Sequence, residues 1–240
     1  LWIGGTFWDG RATGWRLGDP LAEQAQGPFL NPVEQNMASP ADVCMVVRVS
    51  SYAPLFEEVW GMGSLDCGMG VDSTYEKIAR SIAAFERSSE VGPFTSKYDL
   101  YLKGEDRLTG KEKRGLRLFE GKALCSQCHL SRPGPNGEPP MFTDFTYDNI
   151  GSPRNPLNPF YTMPSLINPD GAAWVDTGLG GFLAGAGYPA EVYEKEMGKQ
   201  KVPTLRNVDL RPTRDTVKAY GHNGYFKSLS TLLGTATDYI

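Results

Sequence analysis

Between residues 73 and 88 the apolar side chains Tyr75, Ile78, Ile82 and Phe85 recur every three or four positions, the period of one helix face. Asp72 or Ser73 is the expected N-cap, with Glu76 in the first turn. Thr109-Gly110-Lys111-Glu112 reads as a capping box, in which the Thr and Glu side chains each take the other residue's backbone N–H, so a second clear helix opens there. Leu116, Phe119 and Ala123 form its expected buried face, and the helix is expected to run straight into residue 125. Shorter helical stretches are predicted at 21–26, 41–49 and 54–60. The remainder reads as loop. Residues 1–40 are rich in Gly, Pro and Trp, Glu90-Val91-Gly92-Pro93-Phe94 is hinge-like, and residues 131–140 and 150–190 are dense in turn formers. No internal repeat is evident and β content is expected to be minor.

Composition sharpens this picture in one respect. The 28 glycines and 18 prolines make up nearly a fifth of the chain, against a background of roughly 12%. Such a chain is either a turn-rich domain or a fold whose core is filled partly by something other than side chains. Its 240 residues suffice for one generous domain or two lean ones. The net charge of −4 excludes a nucleic-acid binder that works by bulk electrostatics, since phosphate binding needs a basic footprint. Apolar runs are short, Cys44-Met45-Val46-Val47 being typical, so no transmembrane segment is expected. The first residues, Leu1-Trp2-Ile3-Gly4-Gly5, do not read as a signal peptide.

The cysteines carry the chemistry. Cys125-Ser126-Gln127-Cys128-His129 is the C-x-x-C-H pattern of covalent c-type haem attachment. Two thiols three positions apart reach the two vinyl groups of one porphyrin edge, and the histidine that follows becomes the proximal iron ligand. A thioredoxin-like redox pair expects a βαβ context that is missing here, and a tetrahedral zinc site needs about four ligands. The chain offers two histidines and two further cysteines, both more than fifty residues upstream. Haem is attached outside the cytoplasm, so a periplasmic or otherwise exported chain is expected. Cys44 and Cys67 are then either a disulfide or two buried free thiols.

Several blocks resemble one family, the bacterial di-haem cytochrome c peroxidases and their MauG-like relatives. They are Phe7-Trp8-Asp9-Gly10-Arg11, Leu21-Ala22-Glu23-Gln24-Ala25-Gln26-Gly27-Pro28, Asn31-Pro32-Val33-Glu34 and Ile82-Ala83-Ala84-Phe85-Glu86-Arg87. The haem motif, Phe142-Thr143-Asp144-Phe145, Val202-Pro203-Thr204-Leu205-Arg206-Asn207-Val208 and His222-Asn223-Gly224 follow in the family's order. The resemblance implies a mainly α, loop-rich fold of two cytochrome c-like haem domains, the first incomplete in this chain. Residues 1–105 would be the remainder of the N-terminal, peroxidatic haem domain, and residues 106–240 the second c-type haem domain. The family's first C-x-x-C-H would fall before residue 1, and family members continue past Ile240, so the chain is expected to be an interior portion of a longer polypeptide. One haem c would be attached to this chain and a second expected from the preceding segment.

By the same resemblance Glu34 is the distal acid that moves a proton during O–O cleavage, a task suited to a carboxyl that burial keeps protonated. Gln24 would hydrogen-bond the peroxide or a pocket water, and Trp8 would carry electrons between the haems. Read from the residues alone, Glu34 is as well a loop carboxylate and Trp8 a core aromatic. The second haem, on Cys125 and Cys128 with His129, takes a methionine as second ligand in the peroxidases and a tyrosine in the MauG-like branch. The family spacing falls on Ala236, which cannot ligate iron; Tyr239 is close, and no methionine follows Met197. A tyrosinate favours oxidised iron, which points to the MauG-like branch. His222 would line the haem edge and contact propionates, with bis-histidine ligation as the alternative. The family also carries calcium between the haems on carbonyls of a Thr-x-Pro segment; here those positions read Val217 and Ala219, with Thr216 one place early.

The resulting expectation is an enzyme that uses hydrogen peroxide. Its partner would be a small cytochrome or cupredoxin donor, or a protein substrate in the MauG-like case. A pure electron-transfer cytochrome and a haem-bearing accessory subunit are the rival readings.

Overall fold

Asp19 opens the first helix by accepting the backbone N–H groups of Leu21 and Ala22, and Pro20 fills the first helical position with its φ already set. This helix, α1 (Pro20–Leu30), is followed by α2 (Pro40–Arg48), α3 (Ala53–Trp60) and α4 (Val71–Glu86). The computed structural model describes residues 2–210, 216 and 219–237, with side chains as far as 234. The chain folds as two compact units, Gly4–Thr95 and Ser96 onward, the latter including residues 2–3.

In the first unit the buried centre of the α1–α4 contact is made of alanines: Ala22 and Ala25 face Ala79 and Ala83, with Leu21 and Ile82 packed against them. Small side chains at the crossing let the two backbones approach closely. Asp19 then accepts two hydrogen bonds from the Arg87 guanidinium, tying the start of α1 to the end of α4. A second cluster joins Val43 and Val47 of α2 to Phe56 of α3 and to Tyr75 and Ile78 of α4. The Tyr75 hydroxyl, buried with this cluster, donates to the Gln26 carbonyl at 2.6 Å.

α4 starts two residues earlier than periodicity suggested, with Gly70 as N-cap and no side-chain cap from Asp72 or Ser73. The reason is a set of bonds between the helix start and the segment before it. The Asp66 carboxylate accepts the N–H groups of Gly68 and Gly70, and the Thr74 hydroxyl donates to the carbonyls of Ser64 and Asp66.

Cys44 of α2 and Cys67 are joined in a disulfide, which settles the open alternative. The bridge spans 23 residues of sequence, and closing a loop of that size in the unfolded chain is worth about 3 kcal/mol. The Cys44→Ala, Cys67→Ala double variant is therefore expected to lose stability of that order, read as a lower urea midpoint at unchanged slope.

The second unit contains α5 (Lys97–Leu102), α6 (Gly110–Glu120), α7 (Gly178–Gly185), α8 (Ala190–Tyr193) and α9 (Leu229–Thr237). Its sheet is minimal: β1 (Tyr147–Asp148) pairs antiparallel with β2 (Gln200–Lys201). Tyr147, Leu179 and Leu183 form a small core with Phe182, Tyr188 and Trp2 packed on it. Glycine is required here by close approach. A Cβ on Gly180 would stand 2.6 Å from the Met197 nitrogen, and one on Gly178, at φ +53°, would collide with the Lys199 carbonyl. α5 belongs to the unit that starts at Ser96, since its Tyr98 and Asp99 bond to Ser131 and Arg206 of that unit.

The Thr109–Glu112 capping box is present at the start of α6. The helix does not run into Cys125, however. It ends at Glu120, and Leu124 takes a left-handed backbone (φ +56°) that re-aims the chain before a 3-10 turn at Cys125–Gln127. The expected buried face is also only half covered: Leu116 and Phe119 are half-buried and Ala123 is exposed. Among the described residues no helix is long and apolar enough to cross a membrane.

Candidate haem site

His129 is fixed by one hydrogen bond. Its Nδ1 lies 2.8 Å from the carbonyl oxygen of Phe142. A carbonyl can only accept, so Nδ1 carries the proton and donates, which leaves Nε2 with its lone pair for a metal. Phe142 presents that carbonyl from an unusual backbone, φ +52°, which costs a bulky residue about 1–2 kcal/mol. The neighbouring segment is held on both sides. Arg206 Nε donates to the Pro140 carbonyl, the Thr204 hydroxyl to the Met141 carbonyl, and the Thr143 hydroxyl to the Val202 carbonyl. Residues 140–143 are thus latched, one after another, to 202–206 and His129.

Arg206 is itself anchored. Its guanidinium donates to both carboxylate oxygens of Asp99 at 2.9 and 3.1 Å, in the planar fork that suits arginine and carboxylate. Asp99 is only 3% exposed. The Arg206 hydrogen bonds outweigh burial, with Ser96 helping, and hold the Asp99 carboxyl at about 2.

The two thiols of the motif are free and half-buried. Cys125 Sγ donates weakly to the Ala123 carbonyl at 3.5 Å, and Cys128 Sγ to Asp148 at 3.7 Å. Burial pushes the Cys128 thiol above its ordinary value, and the charges of Asp148 and Asp144 add to this. It therefore stays protonated, a poor nucleophile for disulfide exchange. In the same unit a cavity of about 380 Å³ is lined by Tyr98, Leu108, Leu116, Phe119 and Phe142. The Phe142 ring sits 5.5 Å from Tyr98 and 6.1 Å from Phe119, centre to centre.

These observations fit haem and not a bare ion. Among the described residues no three His, Cys, Asp or Glu groups converge as a metal ligand set. Instead there are two thiols outside any disulfide and one imidazole whose far nitrogen is directed by a carbonyl; the cavity meets this group only through Phe142, the residue whose carbonyl holds His129. Cys125, Cys128 and His129 would hold the group.

Trp8, Gln24 and Glu34 belong to the first unit. Trp8 sits in a tight loop closed by the Thr6–Ala12 bridge, 41% exposed, edge-on to Phe7. Arg11, pinned by Asp9 at 2.8 Å, lays its guanidinium over both rings, 3.8 Å from the centre of Phe7 and 4.8 Å from Trp8. Phe7 presses on Gly27, where a Cβ would meet its ring at 3.0 Å. The loop therefore packs on α1 three residues beyond the half-buried Gln24. Glu34 follows α1 in a turn organised by Asn31, whose side chain accepts the Val33 N–H and whose carbonyl accepts those of Glu34 and Asn36. Its side chain is exposed, so the burial expected of a proton-holding carboxyl is not provided by the described residues.

His222 Nε2 lies 2.6 Å from Asp176 Oδ2, while Asp176 Oδ1 accepts the Gly178 N–H at the start of α7. The nitrogen that bis-histidine ligation would need is thus engaged by a carboxylate. Tyr239 and Val217 lie outside the described residues.

Sequence reasoning missed Asp99, Asp176, Arg11 and the Phe142 carbonyl. It also missed Glu23, whose carboxylate accepts the N–H groups of Gly14, Arg16 and Leu17 at 2.7–2.8 Å. Burial alone would raise that carboxyl, but the three bonds outweigh it and hold it below its ordinary value. Only Asp99 left a local trace, the Ser96–Asp99 capping box.

A family model described as "Di-haem cytochrome c peroxidase" matches residues 2–107. The methylamine utilization protein MauG of Paracoccus denitrificans is 36% identical over 233 residues, which cover 96% of this chain and 52% of that protein. The cytochrome c551 peroxidase of Pseudomonas aeruginosa is 33% identical over 124 residues, covering 51% and 32%. Among solved structures, the diheme peroxidase BthA from Burkholderia thailandensis superposes with a TM-score of 0.74 at 30% identity, over 97% of this chain and 51% of that one. The chain spans about half the length of relatives such as these.

Proposed function

This chain belongs to the bacterial di-haem cytochrome c peroxidase and MauG-like family, and from that premise we propose that it reacts with hydrogen peroxide and exchanges the resulting oxidising equivalents with a protein partner. The observation that carries the reading is the Cys125–Cys128–His129 group with Nδ1 of His129 committed to the Phe142 carbonyl. Haem held there would supply an iron able to change oxidation state. Each compact unit would contribute to one haem domain, with the second haem c expected from the segment before residue 1.

The chain's own residues divide the work. His129 donates its Nε2 lone pair, and the latch of residues 140–143 keeps the ring from turning. Glu34 shuttles a proton between the two peroxide oxygens, and Gln24 orients the peroxide by hydrogen bonding. Trp8 passes electrons; its exposure and the overlying Arg11 guanidinium support a role other than core filling. Tyr239 is the proposed second iron ligand, which places the chain on the MauG-like side. His222 holds a propionate edge, with its imidazole oriented by Asp176. Calcium finds little support in the residues present. The Cys44–Cys67 disulfide, which forms in oxidising compartments, supports a periplasmic location alongside the haem motif.

One observation favours the rival electron-transfer cytochrome, namely the exposure of Glu34. Mixing the ferric, haem-loaded protein with stoichiometric hydrogen peroxide separates the two. The proposal expects a prompt change in the haem spectrum, and an altered resting ferric spectrum in Tyr239→Phe. No change on adding peroxide would leave electron transfer alone, and an unchanged resting spectrum would remove the tyrosinate ligand.

A further inference from the structure

The charge of the chain is unevenly spread. Residues 103–132 contain eight basic and four acidic side chains, while the rest holds sixteen basic and twenty-four acidic. This basic stretch is the one that leads into and carries the C-x-x-C-H motif. Two of its four acids are already occupied. Glu112 accepts from Lys97 Nζ at 2.8 and 2.9 Å and from its own cap, and Glu120 accepts from the Ser131 hydroxyl at 2.7 Å. Lys111, Lys113, Arg114, Arg117 and Lys122 are exposed and have no ion-pair partner among the described residues.

Geometry divides α6 into two faces. Leu116 and Phe119 line the cavity shared with Phe142. Lys111, Arg114 and Leu118 stand at i, i+3 and i+7 and share the opposite face. Leu118 is 55% exposed, and α6 buries no residue at all. Lys122 follows in the turn, and the exposed Leu124 stands immediately before Cys125. An apolar centre with a rim of unpaired charges of one sign, joined directly to the haem-bearing cysteine, is the arrangement expected of a transient redox encounter. The apolar centre excludes water while the charged rim steers approach.

We propose that this face of α6 is the docking surface for an acidic redox protein, a small cytochrome or cupredoxin whose haem or copper edge is ringed by carboxylates. The inference rests on the reading that the chain exchanges electrons with a protein partner, and adds where and by what chemistry that partner binds. Exposed charges of one sign would also attract nucleic acid, but the centre of the face is a leucine rather than a stacking aromatic or a phosphate-sized cluster.

The test uses the haem-loaded protein and its Lys111→Glu, Arg114→Glu, Lys122→Glu triple variant, with a Lys111→Gln, Arg114→Gln, Lys122→Gln variant as a gentler change. Three donors are compared with peroxide present: a reduced acidic c-type cytochrome, a reduced basic c-type cytochrome, and uncharged hydroquinone. With the acidic cytochrome kcat/KM is expected to fall at least about tenfold in the Glu variant at low salt, less in the Gln variant, and to converge with wild type near about 0.5 M salt. Hydroquinone turnover is expected to be the same for all three proteins. Equal kcat/KM for the acidic cytochrome in wild type and both variants would overturn the proposal, and so would preference of the wild type for the basic cytochrome. Tighter salt-dependent binding of a DNA oligonucleotide than of the acidic cytochrome would likewise overturn it. If hydroquinone is not turned over by any of the proteins, the peroxide reading has failed separately. Docking is then read from chemical-shift changes of the acidic cytochrome on adding the haem-loaded protein, and shifts lost in the Glu variant support it while their absence with wild type overturns it.

Discussion

Replacing Glu34 with Gln is expected to slow the reaction of the ferric protein with hydrogen peroxide by about 10²–10⁴-fold, the usual worth of a positioned proton carrier. Gln keeps the size of the side chain and the turn held by Asn31, but it cannot take a proton from one peroxide oxygen and return it to the other. The turn itself depends on the N–H groups of residues 33, 34 and 36 donating to the Asn31 side chain and carbonyl, and none of these bonds uses the Glu34 side chain. Stability and resting spectrum should therefore be unchanged, which isolates the chemical step. Stopped-flow absorbance at the Soret band checks it. A rate within about twofold of wild type would remove Glu34 from the peroxide reaction.

The second large effect concerns stability. Arg206→Leu leaves the Asp99 carboxylate 3% exposed and without its main partner. Breaking a buried pair in this way costs about 3–5 kcal/mol, seen as a lower urea midpoint for the second unit. The pair also makes stability pH-dependent. The folded Asp99 carboxyl lies near 2, against 3.8 when unperturbed. A group whose acidity is raised by folding stabilises above its unfolded value, and that stability is lost as pH falls through the folded value. The contribution is about 2.5 kcal/mol, present above about pH 5 and gone near pH 2. In Arg206→Leu this part of the acid sensitivity is expected to vanish. Arg206 also donates to the Pro140 carbonyl, two residues before the carbonyl that holds His129. The surviving folded variant should bind haem with a looser proximal ring.

What the sequence discloses follows from the range of each interaction. The Thr109–Glu112 box is local, four residues bonding to one another, and it reads correctly. The α4 period reads correctly for Tyr75, Ile78 and Ile82, which join one core, but not for Phe85, which is 55% exposed. Its start does not, because it is set by Asp66, which lies before the repeat, and by the Thr74 hydroxyl, which is not part of the apolar pattern. The end of α6 is missed for a similar reason: Leu116 and Phe119 suggest continuation, whereas Gly121 and the left-handed Leu124 stop the helix short. Cys125, Cys128 and His129 are legible as a group because the chemistry itself fixes their spacing. The Phe142 carbonyl is not legible, since every residue has one and only folding shows which faces His129. Asp99 and Arg206 are 107 residues apart, and nothing in either neighbourhood announces the other. The disulfide stays open on sequence alone because two thiols 23 residues apart are equally compatible with pairing and with separate burial.

The central claim is that Cys125 and Cys128 carry a covalent haem with His129 beneath it. Mass spectrometry of the proteolytic peptide spanning residues 125–129, from protein produced with haem-attachment machinery in the periplasm, tests this most directly. The account predicts that the peptide carries the mass of one haem, that neither thiol reacts with an alkylating agent, and that Cys125→Ala, Cys128→Ala removes the added mass. A peptide of unmodified mass, with both cysteines alkylated or joined to each other, would contradict it.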